Sequence, residues 1–318
     1  CGPCRAELPV LEGLKKAGLK KLVLDLRSNG GGILDEAVEI ADEFLDGDKL
    51  ITYTEGKHVD KKEYRCRRAG QFEKGALVVL ADEGTASASE VLAGALQDWC
   101  RATIVGRRTF GKGLVQEQYQ LRDGSAIRLT IARYYTPLGR SIQRSYEKGK
   151  KVYMDDLWER FNNGELVSED SMKNHNSKNF TTNCNDTLYG GGGISPSVFI
   201  PVDTSRAQHQ ANRMAVTVNV SNYVYNYYLQ HKSEVEKYKT ATDFANGFIQ
   251  NDQLWNGLIQ YTVSDSIKPG SLAGKEKELV LQQLKALLAR YRWRNSGFYQ
   301  VLNSGDAMVL KALEEVKK

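Results

Sequence analysis

Apolar positions in this chain change period several times, and each change marks an element. Lys21–Arg27 (KLVLDLR) is a near-continuous apolar run, the pattern of a strand in a sheet covered on both faces. Ser28–Gly32 (SNGGG) interrupts it, and from Leu34 to Leu45 the apolar positions recur at helical spacing. Leu50–Thr54 and Lys62–Arg68 predict two strands with a polar connection. Leu77–Ala81 (LVVLA), bounded by Asp82, Glu83 and Gly84, predicts a buried strand. Past Gly84 the helical period returns through Ala86, Val91, Leu92, Ala95 and Leu96, and Thr103–Val105 predicts a further strand. Gln116–Leu121 and Ser125–Tyr135 flank Asp123-Gly124, the strongest short-range hairpin signal in the chain, and Pro137 and Gly139 end its second strand. Strands alternating with helices, then a hairpin, indicate an α/β sandwich or spiral sheet rather than an all-β fold.

The second half reads differently. Residues 151–189 are polar and rich in Asn and Asp, as an excursion from the core would be. Val198–Val202, after a run of four glycines, reads as a further strand. Beyond Asp203 the pattern is helical, over Arg206–Lys239, Thr242–Leu258, Gly274–Arg294 and Asp306–Lys317. The Tyr-rich stretch Tyr223–Tyr228 reads as packing rather than a ligand cage. Ala6–Lys16 predicts a helix ahead of the strand at Leu22. Three regions follow: an atypical N-terminal segment (1–16), an α/β core (17–205) and a helical C-terminal region (206–318).

Composition narrows the classes. With 41% apolar residues in 318, the chain can bury a sizeable core. The net charge of +5 is mild and its basic residues are spread out, which reads as a solvated surface and not a nucleic-acid interface. No run is long and apolar enough to span a membrane. The chain opens on Cys1 with neither an initiator methionine nor a signal peptide, which reads as an internal or processed fragment. Five cysteines (Cys1, Cys4, Cys66, Cys100, Cys184) form neither an evident disulfide framework nor a zinc site, so no metal or other cofactor is expected. Cys-Gly-Pro-Cys at the start of a helix has the form of a thioredoxin-type redox signature, but the strand that should precede it is missing. The four histidines (His58, His175, His209, His231) lie far in sequence from the serine cluster described next, which leaves a Ser–His mechanism few candidates.

The candidate chemistry lies between Gly84 and Gln116. Ser87 and Ser89 fall in the first turn of a helix, where unpaired N–H groups favour a developing oxyanion. Lys112 stands between two glycines in Thr109–Gly113 (TFGKG), a setting in which a lysine can serve as general base toward a serine. The plainer alternatives are N-capping serines and a solvated lysine. The three glycines of SNGGG either let backbone amides approach a substrate or make a plain tight turn.

Taken together, LVLDLRSNGGG, GTASASE, ALQDW, TIVG and TFGKGLVQ resemble the carboxyl-terminal processing (tail-specific) proteases, a Ser/Lys peptidase family. The likeness runs from about Gly18 to about Tyr146 and resumes at GGGGISPSVFIPVD near residues 190–203. It implies an α/β core related in shape to the crotonase and Clp-protease folds. It implies Ser87 as nucleophile, Lys112 as base 25 residues later, and Gln116 as the partner that orients the lysine. The amides of Gly31 and Ala88 are the implied oxyanion hole, and Glu90, Asp98 and Thr109 the implied supports of the site. The resemblance further implies protein or peptide substrates with apolar C-terminal tails, a periplasmic or cell-envelope location, and leaves a homo-oligomer open. Members of the family carry a PDZ domain upstream of LVLDLR that docks the substrate tail, and nothing here resembles it. Two rival readings stay open, a non-catalytic peptide-binding module of the same fold and a dithiol oxidoreductase acting through Cys1 and Cys4.

Overall fold

A computed structural model describes residues 2–172, 178–205, 218–262 and 269–318, without the side chains of residues 2–8, 172 and 218. Its first strands are β1 (Lys21–Asp25), β2 (Leu50–Gly56), β3 (Val59–Arg65), β4 (Ala76–Ala81) and β5 (Thr103–Gly106). Then come the hairpin strands β6 (Leu114–Gln120) and β7 (Ala126–Tyr135), a small pair β8 (Asn179–Thr181) and β9 (Thr187–Tyr189), and β10 (Val198–Phe199). Two four-stranded sheets result. One is parallel in the order β1-β4-β5-β10, and the other antiparallel in the order β3-β2-β7-β6. The LVVLA run of β4 is buried from Leu77 to Ala81, as an inner parallel strand should be. β1 is shorter than the predicted Lys21–Arg27 and only half-buried, because it is an edge strand.

Five helices lie among the described residues of 1–201: α1 (Gly2–Lys16), α2 (Leu34–Asp42), α3 (Ala88–Asp98), α4 (Gly149–Asn162) and the short α5 (Glu169–Met172). Every residue of α3 is buried, so its polar members Glu90, Gln97 and Asp98 need internal partners. Asp98 finds one in Arg140: the guanidinium donates to Asp98 Oδ1 through Nε and Nη2, at 2.9 and 2.5 Å, and both side chains are buried. The Leu138 amide donates to Asp98 Oδ2 at 2.9 Å. Asp98 thus anchors the TPLGR turn three helical turns away from Ser87. The excursion at 151–189 is more ordered than its composition predicts: α4 occupies its start and the β8–β9 hairpin its end.

By spatial grouping the chain divides into one unit of residues 1–201 with 311–318, and a second of residues 202–310. The second is helical, with Val224, Phe244, Leu254, Leu258, Leu284 and Leu288 in its core. The predicted helix Thr242–Leu258 is two helices, Ala241–Gly247 and Asn251–Tyr261, because Phe248 leaves helical geometry just after Gly247. The last long helix runs on to Leu302 through a break at Trp293 and Arg294. Tyr223 and Tyr227 are buried, and the Tyr223 hydroxyl donates to the Leu254 carbonyl at 2.6 Å, so the Tyr-rich stretch does pack. Part of the predicted Arg206–Lys239 helix, together with His175 and His209, lies outside the described residues. Among the described residues no helix is long and apolar enough to cross a membrane.

The cysteines correct the sequence reading. Cys100, just past α3, and Cys184, in the β8–β9 turn, form a disulfide across 84 residues of sequence. An odd cysteine count and the lack of regular spacing hid it, because only the fold brings the two together. Cys66 is free and buried; burial and the neighbouring Asp42 carboxylate push its thiol up to about 12. Thiolate is the reactive form. Alkylation of Cys66 by iodoacetamide at pH 8 should therefore run about 100-fold or more slower than that of a solvated cysteine, followed by peptide mass mapping. Labelling at the solvated rate would contradict its burial.

Candidate active site

Three loops at the ends of β1, β4 and β5 meet around the first turn of α3. Asp82, read from sequence only as a strand boundary, ties two of them. Its Oδ1 accepts the amides of Ser28 at 2.7 Å, Gly84 at 3.0 Å and Thr85 at 3.1 Å. The Thr85 hydroxyl donates to the Leu26 carbonyl at 2.7 Å, and the Ala86 amide to the Asn29 carbonyl at 2.9 Å. The SNGGG loop is thereby held flat against the serine loop.

Ser87 stands at the N-cap of α3 with φ 58° and ψ −119°, a left-handed conformation costly for a non-glycine residue. Small residues on either side of Ser87 permit the tight turn. Sequence gave no sign that Ser87 itself would carry the positive φ. A Cβ placed on Gly31 would lie 2.5 Å from the Ala86 carbonyl oxygen, 2.7 Å from the Ala88 amide nitrogen and 3.0 Å from Ser87 Cβ. Only glycine fits there, and at φ 80° it brings its backbone against the serine and the Ala88 amide. The Gly31 amide meanwhile donates to Asn29 Oδ1 at 3.0 Å. A substrate carbonyl would have to displace that side-chain oxygen to use it.

Lys112 is half-buried on the loop between β5 and β6. It meets Ser87 through Glu90 rather than by a direct hydrogen bond. Glu90 is fully buried, and each of its oxygens accepts twice. Oε2 takes the amides of Ser87 and Lys112, both at 2.8 Å. Oε1 takes the Gly111 amide at 2.7 Å and the Thr109 hydroxyl at 2.5 Å. Burial pushes the Glu90 carboxyl up from its ordinary value, while these four donors pull it back. Thr109 extends the chain of contacts: its hydroxyl accepts the Ile194 amide at 2.7 Å, and its own amide donates to the Ile194 carbonyl at 3.0 Å.

The fold therefore brings Gly31, Ser87, Ala88, Glu90, Thr109 and the Lys112 backbone together. Two sequence candidates sit elsewhere. Asp98 is at the far end of α3 with Arg140, and Gln116 is exposed on β6, where its amide donates to Thr130 Oγ1 at 3.5 Å. Gln116 follows a register shift in the β6–β7 ladder between Val115 and Gln116. Beside the serine lies a cavity of about 460 Å³, lined by Gly31 and Ala88 and by apolar side chains that include Leu22, Leu24, Leu26, Ile33 and Leu92. Among the described residues no cluster of His, Cys, Asp and Glu could hold a metal ion.

Comparisons with known proteins find similarity over the segment that holds this parallel sheet, Ser87 and Lys112. Residues 9–149 match the model described as peptidase family S41. The carboxy-terminal-processing protease of Bartonella bacilliformis is 46% identical over 125 residues, 39% of this chain and 29% of that protein. The carboxyl-terminal-processing protease of a Picosynechococcus species is 45% identical over 135 residues, 42% of this chain and 32% of that protein. The chain thus spans about a third or less of the curated relatives it matches. Among solved structures, a photosystem II D1 C-terminal processing protease is 31% identical, covering 62% of this chain and 39% of its own, with a TM-score of 0.44. Residues 211–294 match a family of unknown function (DUF8443).

Proposed function

We propose that this chain carries the catalytic part of a serine endopeptidase that cleaves proteins with exposed apolar C-terminal tails. The observation that carries this reading is the Glu90 carboxylate, one buried side chain that fixes the backbones of both Ser87 and Lys112. Ser87 Oγ attacks the scissile carbonyl carbon while neutral Lys112 Nζ takes its proton. The oxyanion forms against the Ala88 amide and the Gly31 amide, the latter released from Asn29. The C–N bond then breaks, and the Lys112 ammonium returns the proton to the leaving amine. Water, deprotonated by Lys112, hydrolyses the acyl-Ser87 ester and restores the serine. The apolar cavity beside Gly31 and Ala88 suits an apolar substrate side chain. In this reading Gln116 acts on Lys112 only after the β6 edge rearranges, since its present partner is Thr130.

The Cys100–Cys184 disulfide supports an oxidising compartment such as the periplasm or cell envelope. The dithiol of Cys1 and Cys4 lies outside the described side chains and takes no part in this mechanism.

The test is the base. Lys112→Arg keeps the positive charge but cannot shed a proton at working pH. It should be as inactive as Lys112→Ala toward an unfolded protein with an apolar tail, a loss of about 10³-fold or more in kcat. An Arg variant that keeps most of the wild-type rate would exclude Lys112 as general base.

A further inference from the structure

α4 begins where the S41-matched segment ends, yet it reaches back to the lysine loop. Its Arg160 is buried, with 2% of the residue exposed. Arg160 Nη1 donates to the Thr109 carbonyl at 2.8 Å and the Arg108 carbonyl at 3.3 Å, and Nη2 donates to the Phe110 carbonyl at 3.3 Å. The next carbonyl, of Gly111, accepts the Arg144 amide at 3.1 Å. Four consecutive carbonyls, Arg108 to Gly111, are therefore held from outside the loop, and Lys112 is the next residue. A loop with two glycines gains little order from its own side chains, so outside donors must set its path.

The guanidinium is itself held in place. Arg160 Nε lies 2.7 Å from Asp156 Oδ2, one turn earlier on α4. Asp156 also pairs with Arg144 at 2.5 Å. The Arg144 guanidinium lies 4.0 Å from the ring centroids of both Phe110, in the lysine loop, and Tyr153, in α4. Arg108 donates from Nε and Nη2 to Glu165, just past α4, at 2.6 and 2.7 Å. Glu90 grips the loop's amides from one side and Arg160 its carbonyls from the other.

We infer that Arg160 is a positioning residue for the lysine base, and that α4 is a clamp on the lysine loop added outside the family's common segment. The inference rests on the Ser87–Lys112 reading only for its kinetic consequence. The geometric consequence stands apart from it.

Two measurements on the full chain test it, with Arg160→Met and the milder Arg160→Lys, which retains the charge but cannot span three carbonyls. Hydrogen exchange reads the Gly111 and Lys112 amides, which donate to Glu90. Exchange there should speed up about 10-fold or more, while the β4 amides of Leu77–Ala81 keep their protection. Kinetics on a protein substrate should show kcat falling about 10- to 100-fold with KM within about twofold, since misplacing a catalytic group by about 1 Å costs about that much. Adding methylguanidine should restore part of the Met variant's rate. Unchanged loop exchange, loosening of β4 to the same extent, or loop loosening with unchanged kcat would each overturn the assignment. If the Met variant does not fold, the Lys variant decides by the same outcomes. A wild-type chain that hydrolyses no substrate would sink the peptidase reading, and the exchange data would still decide whether Arg160 holds the loop.

Discussion

Ser87→Ala should bring protein hydrolysis down on the order of 10⁶-fold in kcat, the scale on which a serine peptidase loses rate with its nucleophile. The fold should be untouched. Alanine at φ 58° bears the same backbone cost as serine, and the Ser87 amide still donates to Glu90. Ser89→Ala is the matched control. Ser89 is buried in the first turn of α3, its amide donates to the Ala86 carbonyl at 3.2 Å, and it lines the apolar cavity with Ala88. Its loss should change kcat less than about 10-fold and stability by roughly 1 kcal/mol. Steady-state assays on one unfolded protein, with thermal melts alongside, give both readouts. Similar losses from the two substitutions would remove Ser87 from the nucleophile's role.

The second large effect concerns Glu90. Glu90→Ala leaves three backbone amides and a hydroxyl without their buried acceptor. At about 1–3 kcal/mol for each unsatisfied donor, partly recovered by water entering the gap, the loss should be roughly 3–5 kcal/mol. Glu90→Gln should recover little of it. Each carboxylate oxygen accepts two donors, so either orientation of the amide turns an NH₂ toward two of them. Chemical denaturation should show both variants strongly destabilised, and peptidase activity should fall with them because Ser87 and Lys112 lose their common anchor. A Gln variant of wild-type stability would mean that the carboxylate's charge and its four bonds matter far less than the geometry implies.

Much of the core was legible because period and punctuation are local. LVVLA between polar residues, Asp-Gly between alternating runs and a serine ahead of helical spacing each need only a few residues to declare themselves. The links that build the site are of another kind. Asp82 joins two loops more than 50 residues apart in sequence, and Thr109 meets Ile194 across a still longer gap. Arg160 sits in a stretch whose polarity reads as an excursion. No local pattern reports such partners, and the Cys100–Cys184 bond was missed for the same reason. Gln116 shows the converse. The resemblance gives it a role at the lysine, while the strand geometry gives it a neighbour on the hairpin.

The Thr109–Ile194 pairing has a consequence for biosynthesis. Ser87, Glu90 and Lys112 all leave the ribosome well before Ile194, whose amide and carbonyl complete the bonding of Thr109. β10, which follows at once, is also the last strand of the parallel sheet and pairs with β5. At roughly 5–20 residues per second, about 4–16 s of translation separate Lys112 from Ile194. Through that interval the nascent chain holds the candidate serine and lysine but lacks the segment whose Ile194 bonds to Thr109. On the proposed reading, assembly order holds hydrolysis back until the core around the site has closed.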